Sequence, residues 1–301
     1  MNPCAVDIRY NEPMHGHTTF KTGGPADCWV RPEGEGFPYF SASLIQRARA
    51  AGIPVFILGG GANIVVGGRG IRGIVLDTGG WKGKTVTEDG LIFCSGTGID
   101  EAAQAAAAAG LSGIEFLAGM PGSIGGALWM NARAYGSEIA DVLAWTEVID
   151  FGADSGEPVT RRITTGDGFA YKTSPFQRMD CLILSAGFRL KAGDRNKINL
   201  EIKKNQQDRQ GKGHYRFPCA GSAFKNNRDF GKPTGQIIDE LGLRGLTLGG
   251  AQVAPFHGNI IINTGSATSA DIRALADEVS ARVKTASGFI LEPEILFVGE
   301  W

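Results

Sequence analysis

The chain has 301 residues, 43% of them hydrophobic and 20% charged, with a formal net charge of −1. That length allows two domains with substantial cores, and the balanced charge leaves no electrostatic footprint for nucleic acid or a membrane surface. The cysteines Cys4, Cys28, Cys94, Cys181 and Cys219 never pair as CxxC, which argues for reduced, mostly buried thiols and against a disulfide framework or zinc site. The leading MNPCAVDIRYNEP lacks an apolar signal-like stretch, and no apolar run reaches membrane-spanning length, so a cytoplasmic protein is expected.

In chain order, a helix is expected over 41–51, closed by Gly52, then strands at 54–58, 73–77 and 91–96. Asp100 is placed to N-cap an alanine-rich helix over 100–109, with Gly110 ending it. Strands follow at 142–151 and 181–190. An α+β domain thus spans residues 1–190, as two subdomains split near 78. The polar run 191–213 reads as a helical connector or boundary, and a second domain occupies 191–301. It contains a helix over 234–241 ended by Gly242, a strand over 259–263 and an amphipathic helix over 269–286. In that last helix Thr268 and Asp271 suit a capping box, and Ile272, Leu275, Val279 and Val283 share a face. A final strand is expected over 289–299, with Glu292 and Glu294 on one face and Glu292 solvated.

The 45 glycines concentrate in 59–73, 119–126 and 242–250, as expected where backbone must approach a ligand. GRGIRG (68–73) matches GxGxxG literally, but a strand rather than a helix follows, so it is not a dinucleotide loop. LGGGANIVV (58–66) is different: three glycines after a strand offer successive N–H groups to an anion such as a pyrophosphate. AGMPGSIGGALWMNARAYGSEIADVL (118–143) is a second such region, where something flat could lie on side-chain-free backbone.

These loops occur in order with HTTFKTGGPAD (17–27), YKTSPFQ (171–177), CAGSAFKNN (219–227), GGAQVAPFHGNIIIN (249–263) and LEPEILFVG (291–299). Together they closely resemble the UDP-N-acetylenolpyruvoylglucosamine reductases, FAD enzymes of bacterial peptidoglycan synthesis. The resemblance implies an α+β chain with a vanillyl-alcohol-oxidase-like FAD-binding domain and a smaller C-terminal α+β substrate-binding domain. The length implies the shorter subtype, without an inserted tyrosine-bearing loop. It further implies that Gly59, Gly60, Gly61, Ala62 and Asn63 hold the FAD pyrophosphate. Gly119, Pro121, Gly122, Ser123, Gly125 and Gly126, with Asn131 and Gly136, would line the flavin. Residues 53–80 contain no histidine, so the FAD would be bound non-covalently.

The implied reaction passes hydride from NADPH to FAD and from flavin N5 to C3 of UDP-N-acetylglucosamine enolpyruvate, giving UDP-N-acetylmuramate. Hydride addition at C3 drives negative charge through C2 into the carboxylate, so a cationic or acidic group must meet it, and C2 then needs a proton. The resemblance assigns the proton to Ser222 and the stabilisation to Glu294 and Lys172. Most of the family carry arginine where Lys172 stands, and Arg178 or Arg216 are the other candidates for that role. Tyr171, Lys225, Asn226, His257 and Asn259 are expected at the substrate. Two further departures are Arg133, where glycine is usual, and Asn227, where proline is frequent. A monomer is expected. The competing readings are an FAD-dependent oxidase or dehydrogenase of a hydroxy acid or sugar on the same fold, and a non-catalytic nucleotide-sugar binder.

Overall fold

The computed structural model describes residues 4–152, 158–166 and 168–301. Along the chain come β1 (Ala5–Pro13), β2 (Pro25–Glu33), α1 (Phe37–Ala50), β3 (Val55–Leu58), β4 (Ile64–Val66), β5 (Ile71–Asp77), β6 (Lys84–Thr87) and β7 (Gly90–Cys94). Next are α2 (Ile99–Ala109), β8 (Leu111–Ser112), α3 (Ile124–Trp129), β9 (Arg133–Ala134), β10 (Ser137–Glu138), α4 (Ile139–Val142), β11 (Leu143–Asp150), β12 (Val159–Ile163) and β13 (Cys181–Arg189). The remainder is β14 (Lys191–Ala192), α5 (Arg195–Gly211), α6 (Thr234–Glu240), β15 (Thr247–Leu248), β16 (Ala251–Val253), β17 (Ile261–Asn263), α7 (Ser269–Ser287) and β18 (Leu296–Val298). Helices and strands are mixed throughout, as an α+β class requires.

Several boundaries differ from the sequence expectation, each for a physical reason. Helix α1 begins at Phe37, because Pro38 sits in the first turn, where a missing N–H costs nothing, and Phe37 is buried. Helix α2 begins at Ile99 with Gly98 as its N-cap and no side-chain cap. Asp100 therefore does not cap it; its Oδ1 instead accepts the Gly119 amide at 2.7 Å. Gly110 does close the helix, at φ 70°. The strand expected over 289–299 shrinks to Leu296–Val298. Pro293 has no N–H for a ladder and makes only an isolated bridge to Phe224, so Glu292 and Glu294 do not share a regular strand face. Cys219 is the buried thiol; the other four cysteines are half-buried.

The chain forms two compact units. Unit 1 is Met1–Arg9, Trp29–Gly60 and Ile74–Gln207; unit 2 is Tyr10–Cys28, Gly61–Gly73 and Asp208–Trp301. The division therefore falls inside α5 rather than at 190/191. The polar composition of 191–213 hides a stripe in which Ile198 and Ile202 bury against Ala103, Ala107 and Ala118. That stripe ties most of α5 to unit 1.

Unit 1 is built on an antiparallel sheet of order β12-β11-β13-β7-β6. Leu91 and Phe93 of β7 and Val148 of β11 pack with Ile99, Ala102 and Ala106 of α2 and Ile124 and Leu128 of α3. A second cluster joins Phe37 and Ile45 of α1 to Leu76, Ile149, Leu182 and Leu184. Beside it, β3 runs parallel to β5, with Phe56 opposite Val75. Because β5 starts inside the GRGIRG stretch, no helix follows that motif. In unit 2, the antiparallel sheet β15-β16-β17 is covered by α7, whose Ile272, Leu275, Val279 and Val283 all bury with Val253, Ile261 and Ile262. Strand β18 pairs parallel with β4, Phe297 opposite Val65. Among the described residues, no helix is long and apolar enough to cross a membrane, and no three His, Cys, Asp or Glu side chains cluster as metal ligands.

Candidate active site

Ser222 lies in unit 2 on a short extended segment held from both sides. On one side it bridges to Ile260, and the Ala223 amide donates to the Asn259 carbonyl at 2.8 Å. On the other, the Glu294 amide donates to the Ala223 carbonyl at 2.8 Å and the Lys225 amide to the Glu292 carbonyl at 2.9 Å. The chain thus brings Ser222 and Glu294 onto neighbouring antiparallel segments although Glu294 stands 72 positions further along the sequence (294 − 222).

Asn259 completes this ladder. It is 3% exposed; its Nδ2 donates to the Phe224 carbonyl at 2.8 Å and its Oδ1 accepts the Phe224 amide at 2.9 Å. One side chain thereby satisfies both backbone groups of a buried residue. Asn63 does similar work just before β4: its Nδ2 donates to the Glu294 carbonyl at 2.9 Å, and its own carbonyl accepts the Leu296 amide at 3.0 Å. Lys225 Nζ is ion-paired to the exposed Glu292 at 2.5 Å. Asn226 Oδ1 accepts the Thr234 amide at 2.9 Å and so tethers the start of α6. His257 Nδ1 accepts the Asn259 amide at 3.1 Å. Burial holds the His257 imidazole below its ordinary pKa, and burial first, then the Arg209 charge, pushes neighbouring His214 down to about 4.

The glycine loops divide their duties. In unit 1 the Gly60 amide donates to Ser123 Oγ at 3.1 Å, and a Cβ on Gly60 would lie 2.5 Å from Gly122 Cα. The 59–60 and 122–126 backbones therefore pack directly on each other, and only glycine permits it. Gly125 is also close-packed, its Cβ position 2.9 Å from Ser95 Cβ. Ser123 is the N-cap of α3, accepting the Gly126 amide at 3.4 Å. Gly126 has only Ser123 Oγ within 4 Å of where its Cβ would be, and Gly136 has nothing there. In unit 2, a Cβ on Gly61 would lie 1.9 Å from the His17 carbonyl, and the Ala62 carbonyl accepts Thr19 Oγ1 at 3.5 Å. Pro121 is exposed just before Gly122. The Gly60 and Gly126 amides are taken by Ser123 and the Gly125 amide by the Ser95 carbonyl, so the loops suit a flat ring system by side-chain-free backbone, open at Gly126 and Gly136, and in that respect they fit a flavin.

Tyr171 and Lys172 form the tip of a tight turn in unit 1. Ala170 and Thr173 close it with two mutual backbone hydrogen bonds of 3.0 Å, and Lys172 takes φ 55°. Three polar side chains fix its base. Asn131 Nδ2 donates to the Ala170 carbonyl at 2.8 Å, Gln177 Nε2 donates to the carbonyls of Lys172 (3.0 Å) and Trp129 (2.9 Å), and Ser174 Oγ donates to Trp129 at 2.7 Å. Asn131 is 0% exposed, and its Oδ1 accepts the Ala140 amide at 3.1 Å. Its amide thus serves the protein's own backbone. Arg133 places its guanidinium carbon 5.7 Å from the centre of the Tyr171 ring. Arg178 follows this turn and is exposed; Arg216, in unit 2, lies over Phe256 at 5.8 Å. Ser174 and Gln177 belong to the YKTSPFQ motif, but nothing in a sequence marks a side chain that bonds to a distant carbonyl.

Residues 213–298 match the family described as UDP-N-acetylenolpyruvoylglucosamine reductase, C-terminal domain, and residues 41–157 match a family described as FAD binding domain. The UDP-N-acetylenolpyruvoylglucosamine reductase of Borreliella burgdorferi is 40% identical over 95% of this chain and 93% of its own length. That of Treponema denticola is 38% identical over 98% of this chain and 94% of its own. The chain belongs to the UDP-N-acetylenolpyruvoylglucosamine reductase family. The reductase from Thermus caldophilus, known from a crystal structure, is similar with a TM-score of 0.76 at 29% identity, covering 98% of this chain and 99% of that one. In this reductase-family chain the span matched as FAD binding domain contains both glycine loops. The C-terminal reductase span contains Ser222, Lys225, Asn259 and Glu294. The Tyr171–Lys172 turn lies outside both spans.

Proposed function

We propose that this chain reduces UDP-N-acetylglucosamine enolpyruvate to UDP-N-acetylmuramate in the cytoplasm, with NADPH as hydride donor and FAD as bound cofactor, as a step of peptidoglycan synthesis. The observation that carries the reading is the pairing of the Ser222 and Glu294 segments, locked by Asn259 and Asn63. It supports the reading because the residues taken as proton donor and acid sit on paired segments of a chain that also has glycine-rich loops.

The 59–63 and 119–126 loops would hold the FAD along their side-chain-free backbone, and residues 53–80 offer no histidine for covalent attachment there. Bound there, FAD supplies the hydride relay between NADPH and the substrate. The chain's own residues then act on the substrate. When C3 has gained hydride, charge moves into the C2 carboxylate system, and Lys172 and Glu294 lower its energy, Lys172 by its charge and Glu294 as a hydrogen-bonding acid. Ser222 Oγ–H gives its proton to C2 and recovers one from solvent. A serine hydroxyl is a weak acid, but the driving force against so basic a carbon is large. Lys225 contributes positive charge for the diphosphate, and Tyr171 covers the substrate. Asn226 and Asn259 act by holding the segment that carries Ser222 and Lys225.

Anaerobic half-reactions test this. NADPH should bleach the flavin, and UDP-N-acetylglucosamine enolpyruvate should restore its colour; failure of the second step would overturn the proposal. Ser222→Ala should leave bleaching near normal and slow recolouring by roughly 10²- to 10⁴-fold, the usual contribution of a positioned proton donor. Loss of both steps would make Ser222 structural instead.

A further inference from the structure

We propose that Arg133 is a second cationic residue of the substrate site, reading the substrate carboxylate from beside Lys172; this rests on the function proposed above. Arg133 opens the β9–β10 hairpin, directly opposite Glu138 in register. Tyr135 and Gly136 form its tip, both at positive φ, and the Tyr135 hydroxyl donates to the Asn205 carbonyl at 3.1 Å. The hairpin is therefore anchored at its tip. Its open end is anchored as well, because Asn131 Nδ2 donates both to Glu138 Oε1 at 3.1 Å and to the Ala170 carbonyl at 2.8 Å. One buried amide thus holds the strand end opposite Arg133 and the turn that carries Tyr171 and Lys172.

The guanidinium itself makes two contacts of a particular kind. Its carbon stands 5.7 Å from the Tyr171 ring centre, and Nη1 is 3.6 Å from Glu138 Oε2. That separation is longer than a hydrogen bond, so Glu138 steadies the charge without consuming the guanidinium donors. The Arg133 side chain is 34% exposed and that of Glu138 20%, so the charge is partly shielded from water, where its field is stronger than on an open surface. An arginine kept merely for a surface ion pair would add at most about 1 kcal/mol of stability, little reason for so defined a placement. What a guanidinium offers here is a planar fork for a carboxylate, which Lys172, a point charge, does not. The negative charge of this reaction collects on a carboxylate, so the two cations divide the work: Lys172 supplies charge and Arg133 supplies geometry.

The test compares two ligands of the FAD-loaded enzyme by calorimetry. UDP-N-acetylmuramate carries the carboxylate; UDP-N-acetylglucosamine shares the diphosphate and sugar without it. Arg133→Ala should weaken the first by ~10- to 100-fold, the range for losing a hydrogen-bonded charge, and leave the second within about twofold. Arg133→Lys should recover part of the loss. Equal weakening of both ligands would mean that Arg133 meets the diphosphate, and unchanged binding of both would mean that it is a surface residue; either result overturns the proposal. A wild-type flavin that failed to recolour with the enolpyruvyl substrate would sink the proposed function, whereas the ratio of the two affinities judges Arg133 alone.

Discussion

Asn131 combines zero exposure, φ 43° and three hydrogen bonds to groups outside its own turn. Asparagine tolerates the left-handed region better than most residues, and its amide both donates and accepts, which explains the choice. Asn131→Ala would remove the side-chain partner of the half-buried Ala140 amide and one of the two donors to the exposed Ala170 carbonyl, which still accepts from Thr173. We expect a loss of about 1–2 kcal/mol, read from urea unfolding, because the lost hydrogen bonds contribute roughly 0.5–1.5 kcal/mol each and the freed backbone groups can reach water. An unfolding midpoint equal to the wild type would refute the bracket role. At the same scale, His214 is held neutral by burial, its pKa pushed down to about 4 against an unfolded value near 6.5. A histidine with a lowered folded pKa takes up its proton more readily when unfolded. Stability is therefore intact above about 6.5 and falls as pH drops from there towards 4. Thermal melts across that window should slope less for His214→Gln than for the wild type; parallel slopes would exclude His214 as a source.

At the scale of elements, the decisive feature of unit 1 is the packing of the loop after β3 on the loop before α3. Gly60 and Gly122 meet backbone to backbone, and a Cβ on Gly60 would fall 2.5 Å from one Gly122 atom and 2.7 Å from the next. Backbone atoms cannot rotate away, so Gly60→Ala must push the loops apart. The expected product is a folded protein that purifies pale, with a lower ratio of flavin to protein absorbance; full flavin occupancy would show that the loops have slack. In unit 2 the corresponding element is the extended segment 222–225, whose order comes from two flanking segments and one asparagine rather than from any propensity of its own.

Across the whole molecule, the thiols report on how closely each unit is packed. Burial pushes Cys94 up to about 11 and Cys181 up to about 12, where Asp150 and Asp180 add to it, and burial also raises Cys28 and Cys219. The thiolate is the reactive form, so at pH 8 these four should react with a disulfide reagent far more slowly than in the unfolded chain, where all five react together. Rapid reaction of three or more thiols in the native protein would contradict this packing. Helix α5 matters at the same scale: its polar composition suggested a linker, yet Ile198 and Ile202 place most of it in the core of unit 1.

By itself, the sequence determined the features written in local code. The Thr268–Asp271 capping box, with the Ile272–Leu275–Val279–Val283 face, defines α7, because each signal lies within a turn or two of the helix it controls. The same holds for Gly110 at the end of α2 and for strands β3, β11 and β13. The ordered motifs also carried the family, the cofactor class and the reaction, since loops that must lie against a ligand tolerate few residue types. Tertiary structure alone decided that Asp100 binds Gly119 instead of capping its helix, and that the final strand stops short of Glu294. It also decided that Asn131 and Asn259 brace backbone, and that Arg133 stands beside Tyr171. These depend on hydrogen bonds and ring contacts between positions far apart in sequence, 39 residues for Asn131 to Ala170 and 35 for Asn259 to Phe224. Neither periodicity nor propensity encodes a contact of that range; only the packed cores of the two units bring its ends together.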